Sequence, residues 1–482
     1  MSATDSQLTT EPAFPVWTAS ERESFFDAIT RHRRAATRVA IVSHACAVLL
    51  ALVVATLMSP LCYAVIGLAL DVMNLLVPMP NLLSNVTDTM TSLIDDPASV
   101  SVGRWFYLAL IASLPGLGVM ALAIRTLDRV MREAMSSDAA NFGARVPNGT
   151  NLGEQQFADV VAEMAIAAGL VAPRVLVADS EAANAAAFGG DGSHVTMVVT
   201  SGLMAELNRA ELQGIAAHLV GSVANGDISI GARMATVLSM FGLIAKLSES
   251  FARRDAARRF AGLLRSSLKR GASVDDGELA IALTNPFKSA KAVPDVIADG
   301  AKRIPWRTIA WMPLVGPLVI SGFFGGVLCS FALGPLLSLA WRRRKYLADA
   351  TAVRLTRDPN TLGSALEKMR GVPAQGAFGA WIAHMSVMPT GLIGAKSILG
   401  GSSVPMSPSL DGRLHALGVM GAQVAVQARR QMPLWAWCAL LPVIALLVVL
   451  LSLVVVGLLY ISLAMSGLFT WLPALIVHGF FR

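Results

Sequence analysis

Residues Asn208-Arg209-Ala210-Glu211-Leu212-Gln213-Gly214-Ile215-Ala216-Ala217-His218-Leu219-Val220-Gly221-Ser222 read as one capped, amphipathic helix. Asn208 is a strong N-cap residue, so the helix is expected to begin near Arg209 and Ala210. Leu212, Ile215, Ala216 and Leu219 recur at helical spacing and form one buried stripe. Taken alone, His218 on such a helix reads as a structural residue. Working outward, Phe157 to Leu170 has helical periodicity and ends at Gly169, with Pro173 beyond it. Arg174 to Ala178 and His194 to Thr200 are short β-branched strands, and Asn184 to Gly190 between them reads as a small-residue turn. A small α+β unit results.

Further out, the chain is apolar. Of 482 residues, 54% are hydrophobic and only 15% are charged. Soluble domains carry about 25% charged residues, so a membrane protein is expected. The net charge is +7, but the basic residues flank apolar runs, as the positive-inside rule requires. No nucleic acid partner is expected. Cys46, Cys62, Cys329 and Cys438 lie in apolar runs without a C-x-x-C pair, which argues against a disulfide framework or zinc ribbon.

The charge pattern gives the layout. Residues 1–38 form a polar cytosolic N-terminus that closes on Arg31, Arg33, Arg34 and Arg38. Residues 39–124 form a transmembrane hairpin: a long run from Val39 to Leu76 with Ser59-Pro60 inside it, an acidic turn with Asp88, Asp95 and Asp96, and a second span from Trp105 to Ile124. Two spans within Val39–Leu76 would invert everything downstream, and the flanking charges disfavour them. Residues 125–249 are the first part of the soluble unit. Ile228 to Leu247 inside it is moderately apolar and could be a further span, although the layout does not count it as one. Residues 250–307 are a basic cytosolic insert, 308–341 an apolar membrane hairpin, 342–431 the second part of the soluble unit, and 432–482 a C-terminal transmembrane region. Four to six spans follow.

His218 gains meaning from its spacing. In the pattern H-E-x-x-H, two imidazoles at i and i+4 share a helix face and grip one zinc ion, and the Glu between them deprotonates the metal-bound water. Here Leu219 stands at the position of the base and Ser222 at that of the second ligand. Around the helix, Glu163-Met164-Ala165, Ala168-Gly169-Leu170, Pro173-Arg174-Val175, Asn184-Ala185-Ala186-Ala187, Thr200-Ser201-Gly202-Leu203, Glu211-Leu212 and Asn225-Gly226-Asp227 occur in order. Together they resemble the HtpX and CAAX-prenyl-endopeptidase group of membrane zinc metallopeptidases. The later run Arg344-Lys345-Tyr346-Leu347-Ala348-Asp349-Ala350 resembles that group's third-ligand segment with Lys345 in place of the Glu. Ser407-Pro408-Ser409-Leu410-Asp411-Gly412-Arg413-Leu414 resembles its H-P-P-x-x-x-R-I segment with Ser407 in place of the His.

The resemblance implies a mainly α membrane protein with an α+β zincin-like cytosolic domain, a small sheet with an edge strand and an active-site helix. It implies zinc in active relatives. In this chain only His218 is a retained ligand position, so no metal and no cofactor are expected, and the catalytic positions His218, Leu219, Ser222 and Lys345 form a degenerate motif. Lys345 either snorkels to the surface or fills the cavity, replacing the metal's charge and pairing with Asp349 or Asp227. The edge strand is expected at Val195, Thr196, Met197, Val198 and Val199, where it would bind an extended chain. The function this implies is a pseudoprotease that binds or scaffolds proteins, partnered by the lipid bilayer and by another membrane protein or protease complex. It would sit in the bacterial inner membrane with its peptidase-like domain in the cytoplasm. Two other readings stand beside it. One is an active zinc metalloendopeptidase with non-standard ligands, drawn from His194, His384 and His415. The other is a transport-complex component, which the near absence of ionisable residues in the spans, His44 excepted, argues against.

Overall fold

A computed structural model describes residues 22–77, 101–141, 143–189, 195–252, 319–372, 385–388 and 407–425, with positions 88, 92, 95, 96, 98, 258, 456, 457 and 460–462. The chain divides into two compact units. One comprises Met1–Ala40, Arg132–Ala232 and Leu337–Gln431; the other comprises Ile41–Met131, Arg233–Leu336 and Met432–Arg482. The basic insert expected at 250–307, most of the hairpin at 308–341 and most of the C-terminal region lie outside the described residues.

The second unit is built on long apolar helices. Helix α1 spans Phe25–Leu76 and α2 spans Val102–Asn141. Both continue through an internal proline, Pro60 and Pro115. Membrane helices tolerate this where neighbouring groups satisfy the freed backbone. Val39–Leu76 is therefore one helix, not two. Ile41, Val48, Leu49, Phe106, Leu114 and Leu122 are exposed, as lipid-facing residues are. Between the two helices the contact is close: a Cβ on Gly116 would stand 2.4 Å from the Ala55 carbonyl oxygen. Small residues let membrane helices approach in this way. The Tyr63 hydroxyl donates to the Ile111 carbonyl at 2.9 Å, and Ser462 Oγ donates to the Thr56 carbonyl at 2.6 Å.

The first unit holds the sheet. Helix α3 spans Leu152–Ala168, capped by the Asn151 side chain and closed by Gly169 at φ 69°. The strands are β1 (Arg174–Ala178), β2 (Ala185–Phe188) and β3 (Thr196–Thr200). Helix α4 spans Ser201–Glu206 and α5 spans Arg209–Ala224. The Asn208 cap is a full capping box: its side chain accepts from Glu211 N, and the Glu211 carboxylate accepts from Asn208 N. Helix α6 spans Asp227–Ala252, from Arg233 onward as part of the second unit. Residues Asp227–Ile244 within it are long and apolar enough to cross a membrane. The reading of Ile228–Leu247 as a further span thus has a helix of sufficient length behind it, which Arg233 and scattered small polar residues dilute. An apolar helix, Val319–Leu328, passes through a π-helical turn at Cys329–Leu333 into α7, Gly334–Thr356. Helices α8 (Pro359–Lys368) and α9 (Leu410–Val419) complete the set.

The strand order is β1-β3-β2, with β3 parallel to β1 and antiparallel to β2. Two expectations are corrected here. Asn184–Gly190 is not a turn, since Ala185–Phe188 forms a strand. Alanine is a poor strand former in isolation, but pairing to β3 and full burial override that preference. Moreover, Val195 to Val199 is not an edge: Thr196, Met197, Val198 and Val199 belong to the central strand, paired on both sides. The outer strands are β1 and β2. The core between sheet and helices is one cluster that includes Phe157, Val160, Met197, Leu203, Leu212, Ile215, Leu219 and Leu366.

Candidate functional site

Helices α5 and α7 carry the motif positions and cross closely. A Cβ on Gly221 would lie 3.1 Å from the Thr351 side chain and 3.3 Å from the Ala348 carbonyl oxygen. The crossing brings His218 of α5 beside Asp349 of α7, both fully buried. His218 Nδ1 lies 2.8 Å from Asp349 Oδ1. A carboxylate only accepts, so Nδ1 carries the proton and donates. Arg413 of α9 completes a triad, donating from Nε to Asp349 Oδ2 at 2.9 Å and from Nη2 to Oδ1 at 2.7 Å. Nη2 also comes within 3.5 Å of His218 Nδ1. Two donors facing each other do not bond, so this is an approach, not a hydrogen bond. The remaining ring nitrogen, Nε2, holds a lone pair and has no hydrogen-bond partner among the described residues.

The electrostatics follow from burial. Desolvation pushes the His218 imidazole down to about 4 despite Asp349, so the ring is neutral at pH 7. Burial raises the Asp349 carboxyl, but Arg413 and His218 outweigh it and hold it well below the usual carboxylate range.

The other motif positions serve different partners. Leu219 is 1% exposed and belongs to the apolar core. Ser222 Oγ donates to Asp227 Oδ2 at 2.6 Å. The Arg344 guanidinium pairs with the other oxygen of Asp227 and donates to the Asn225 carbonyl. Asn225 Nδ2 donates to Thr351 Oγ1 at 3.1 Å, a further tie between α5 and α7. Lys345 does not snorkel: it is 2% exposed. Its Nζ donates to the Ser386 carbonyl at 2.7 Å and to the Met385 carbonyl at 3.4 Å. The expected pairing with Asp349 or Asp227 is therefore corrected, because Arg413 and Arg344 already hold those carboxylates. Burial, reinforced by Arg413, pushes the Lys345 ammonium down to about 7.

Among the described residues, no three His, Cys, Asp or Glu side chains are placed to hold a metal ion. His415 is exposed on α9, and His194 and His384 lie outside the described residues. Sequence reasoning did not find the role of Arg413 at the centre of the site. Its only signal was the Arg of the late motif.

Comparison with known proteins now bears on the site. The model of Peptidase family M48 matches residues 151–418, more than half of the chain. The chain belongs to peptidase family M48. Its curated relatives include the Protease HtpX homologs of Thermoanaerobacter pseudethanolicus, 29% identical over 211 residues, and of Dictyoglomus turgidum, 33% over 214. Each alignment covers 44% of this chain and 55% or 52% of the relative. The Lactobacillus acidophilus homolog is 32% identical over 215 residues, covering 44% of this chain and 57% of its own length. The chain thus spans about half the length of the curated relatives it matches. No solved structure matches. M48 peptidases are zinc-dependent. With its apolar helices, this M48 homologue is an HtpX-like integral membrane protein.

Proposed function

We propose that this M48 protein does not hydrolyse peptides through zinc and instead binds or scaffolds other proteins at the membrane as a pseudoprotease. The observation that carries the reading is Lys345, a buried cation at the third-ligand position of the α5–α7 crossing. The donor set does not fit a zinc ion. Among the described residues it offers one imidazole nitrogen, His218 Nε2, where structural and catalytic zinc sites use three or four N, O or S donors. Ser222, at the second-ligand position, is committed to Asp227. Leu219 cannot accept a proton, so no base stands beside the position where water would be activated. The His218–Asp349 and Asn225–Thr351 ties link α5 and α7, the helices that a metal would otherwise clamp.

In this reading the M48 unit faces the cytoplasm of a bacterial inner membrane, because Arg31, Arg33, Arg34 and Arg38 precede the first span and Asp88, Asp95 and Asp96 follow it. The partner is another membrane protein or a protease complex.

The unpartnered Nε2 supports one alternative, an active metallopeptidase whose other ligands lie outside the described residues. Elemental analysis of the detergent-purified protein separates the two. The native chain is expected to carry no stoichiometric zinc, and a Leu219→Glu, Ser222→His, Lys345→Glu variant to carry about one equivalent. One zinc per native chain would overturn the proposal and make His194, His384 and His415 the ligands to test.

A further inference from the structure

The outer edge of β2 is covered by the protein itself. Ser386 forms an antiparallel bridge with Ala186, and Val387 N donates to the Ala185 carbonyl at 2.8 Å. A single bridge is a weak hold, since an isolated pair of short strands is marginal in water. Side chains supply the rest. Asn184, at the head of β2, uses both ends of its amide: Oδ1 accepts from Met388 N at 3.0 Å, and Nδ2 donates to Met388 O at 3.1 Å. Arg413 Nη1 donates to the Val387 carbonyl at 2.8 Å. Lys345 Nζ donates to the Ser386 carbonyl at 2.7 Å. Three successive carbonyls are thus taken by three side chains from α7, α9 and the β2 entry.

We propose that Lys345 is a latch: at the position of a metal-ligating carboxylate, its ammonium holds residues 385–388 along β2 and closes that sheet edge to any other extended chain. A bare edge is a template for strand addition. Here the template is filled in cis, so a partner strand pairs with β2 only after this segment leaves. The ammonium suits the task because one cation attracts the carbonyl dipoles of two successive residues, Met385 and Ser386. Without it the buried Ser386 carbonyl loses this bond from Nζ, and the segment is held less tightly along β2. Lys345 is a positioning residue in this scheme, acting through the backbone it holds.

The inference rests on the metal-free reading above, but its test is separate. Amide hydrogen exchange is followed in the full-length protein and in Lys345→Met, with zinc content read on the same samples. Exchange at Val387 and Met388 is expected to rise by about tenfold or more in the variant, with β3 amides unchanged. Equal acceleration of both segments would make Lys345 an ordinary structural residue, and unchanged exchange at Val387 and Met388 would remove the latch. In either case a zinc-free sample leaves the metal-free reading standing. A second measurement guards against a poorly folded variant. An Ala186→Cys, Ser386→Cys pair is oxidised in the presence and absence of the Lys345→Met change, and the disulfide is followed by peptide mass mapping. Cross-linking is expected to be fast with Lys345 and several-fold slower without it. Equal rates would overturn the proposal.

Discussion

At the scale of single residues, Lys345 and His218 are both held uncharged or partly so by burial, and each makes a pH prediction. The Lys345 ammonium falls from its usual 10.5 to about 7 in the folded protein. Between those values the unfolded chain binds more protons than the folded one, so stability rises with pH. The contribution is fully present above 10.5 and is lost as pH falls to about 7. At neutral pH, keeping this lysine buried costs roughly 4 kcal/mol. Lys345→Met removes that cost but gives up the bond from Nζ to the Ser386 carbonyl, a loss of about 1–3 kcal/mol. The variant is therefore expected to be more stable at pH 7 by on the order of 1–3 kcal/mol. It is also expected to lose the rise of about 1.4 kcal/mol per pH unit that the native chain shows above pH 7. Denaturant titrations of both proteins from pH 6 to 10 read this directly, and parallel pH profiles would refute it. His218 obeys the same sign at lower pH. Its fall to about 4 means that stability present above 6.5 is lost on acidification toward 4, up to roughly 3 kcal/mol. His218→Gln, which still offers Asp349 an N–H donor, is expected to flatten that part of the profile. The helical spacing of His218, Leu219 and Ser222 was legible in the sequence because a helix fixes which residues share a face. The Asp349–Arg413 pair was not, because it joins residues 64 apart in the chain. Sequence patterns carry no direct record of which distant charges meet.

At the scale of elements, helix crossings set how much the interior can change. Gly214 of α5 meets α8, where an added Cβ would lie 2.6 Å from Leu362 N and from the Thr361 carbonyl carbon. Backbone on both sides leaves nothing flexible to yield. Gly214→Ala gains about 1 kcal/mol of helix propensity but is expected to lose more through overpacking, which costs about 1–3 kcal/mol. A net destabilisation is the expected result in a thermal or denaturant melt. Gly221 is the internal control. Its nearest neighbours lie at 3.1–3.3 Å and include the Thr351 side chain, so Gly221→Ala is expected to be near neutral. If both variants lose the same stability, backbone crowding is not what selects glycine at position 214. The same crossings explain the partial legibility of the fold. Helices α3 and α5 and strand β1 were read because their local signals agree with their tertiary roles: caps at Asn208 and Gly169, and a β-branched run at Arg174–Ala178. Strand β2 was misread because Ala185-Ala186-Ala187 carries no strand signal of its own. All three alanines are buried and pair with β3, and Ala185 and Ala187 join the core cluster that includes α5, so small size there answers to packing, not to local conformation. The misplaced edge strand follows from that single error. With β2 taken for a turn, β3 was the last strand visible.

At the scale of the whole molecule, the open question is which side of the membrane each terminus of α1 occupies. The helix runs unbroken from Phe25 to Leu76, so its ends lie on opposite sides if its apolar length crosses the bilayer once. Arg33, Arg34 and Arg38 are exposed near its start, and Asp88, also exposed, follows its end. Basic residues near a span stay in the cytoplasm, whereas acidic residues contribute little to orientation. On the orientation proposed above the arginines decide, and the Asp88 side is expected to be the translocated one. Single cysteines test this in intact cells with a membrane-impermeant maleimide. Asp88→Cys is expected to react from outside, and Arg34→Cys only after the cells are opened. The native cysteines Cys46 and Cys62 are half-buried within α1 and supply the background. Labelling of Arg34→Cys but not Asp88→Cys in intact cells would invert the arrangement. Because Arg34 lies in the same compact unit as His218 and Lys345, that result would also move the M48 unit out of the cytoplasm. The partners sought for a pseudoprotease would then be proteins of the opposite compartment.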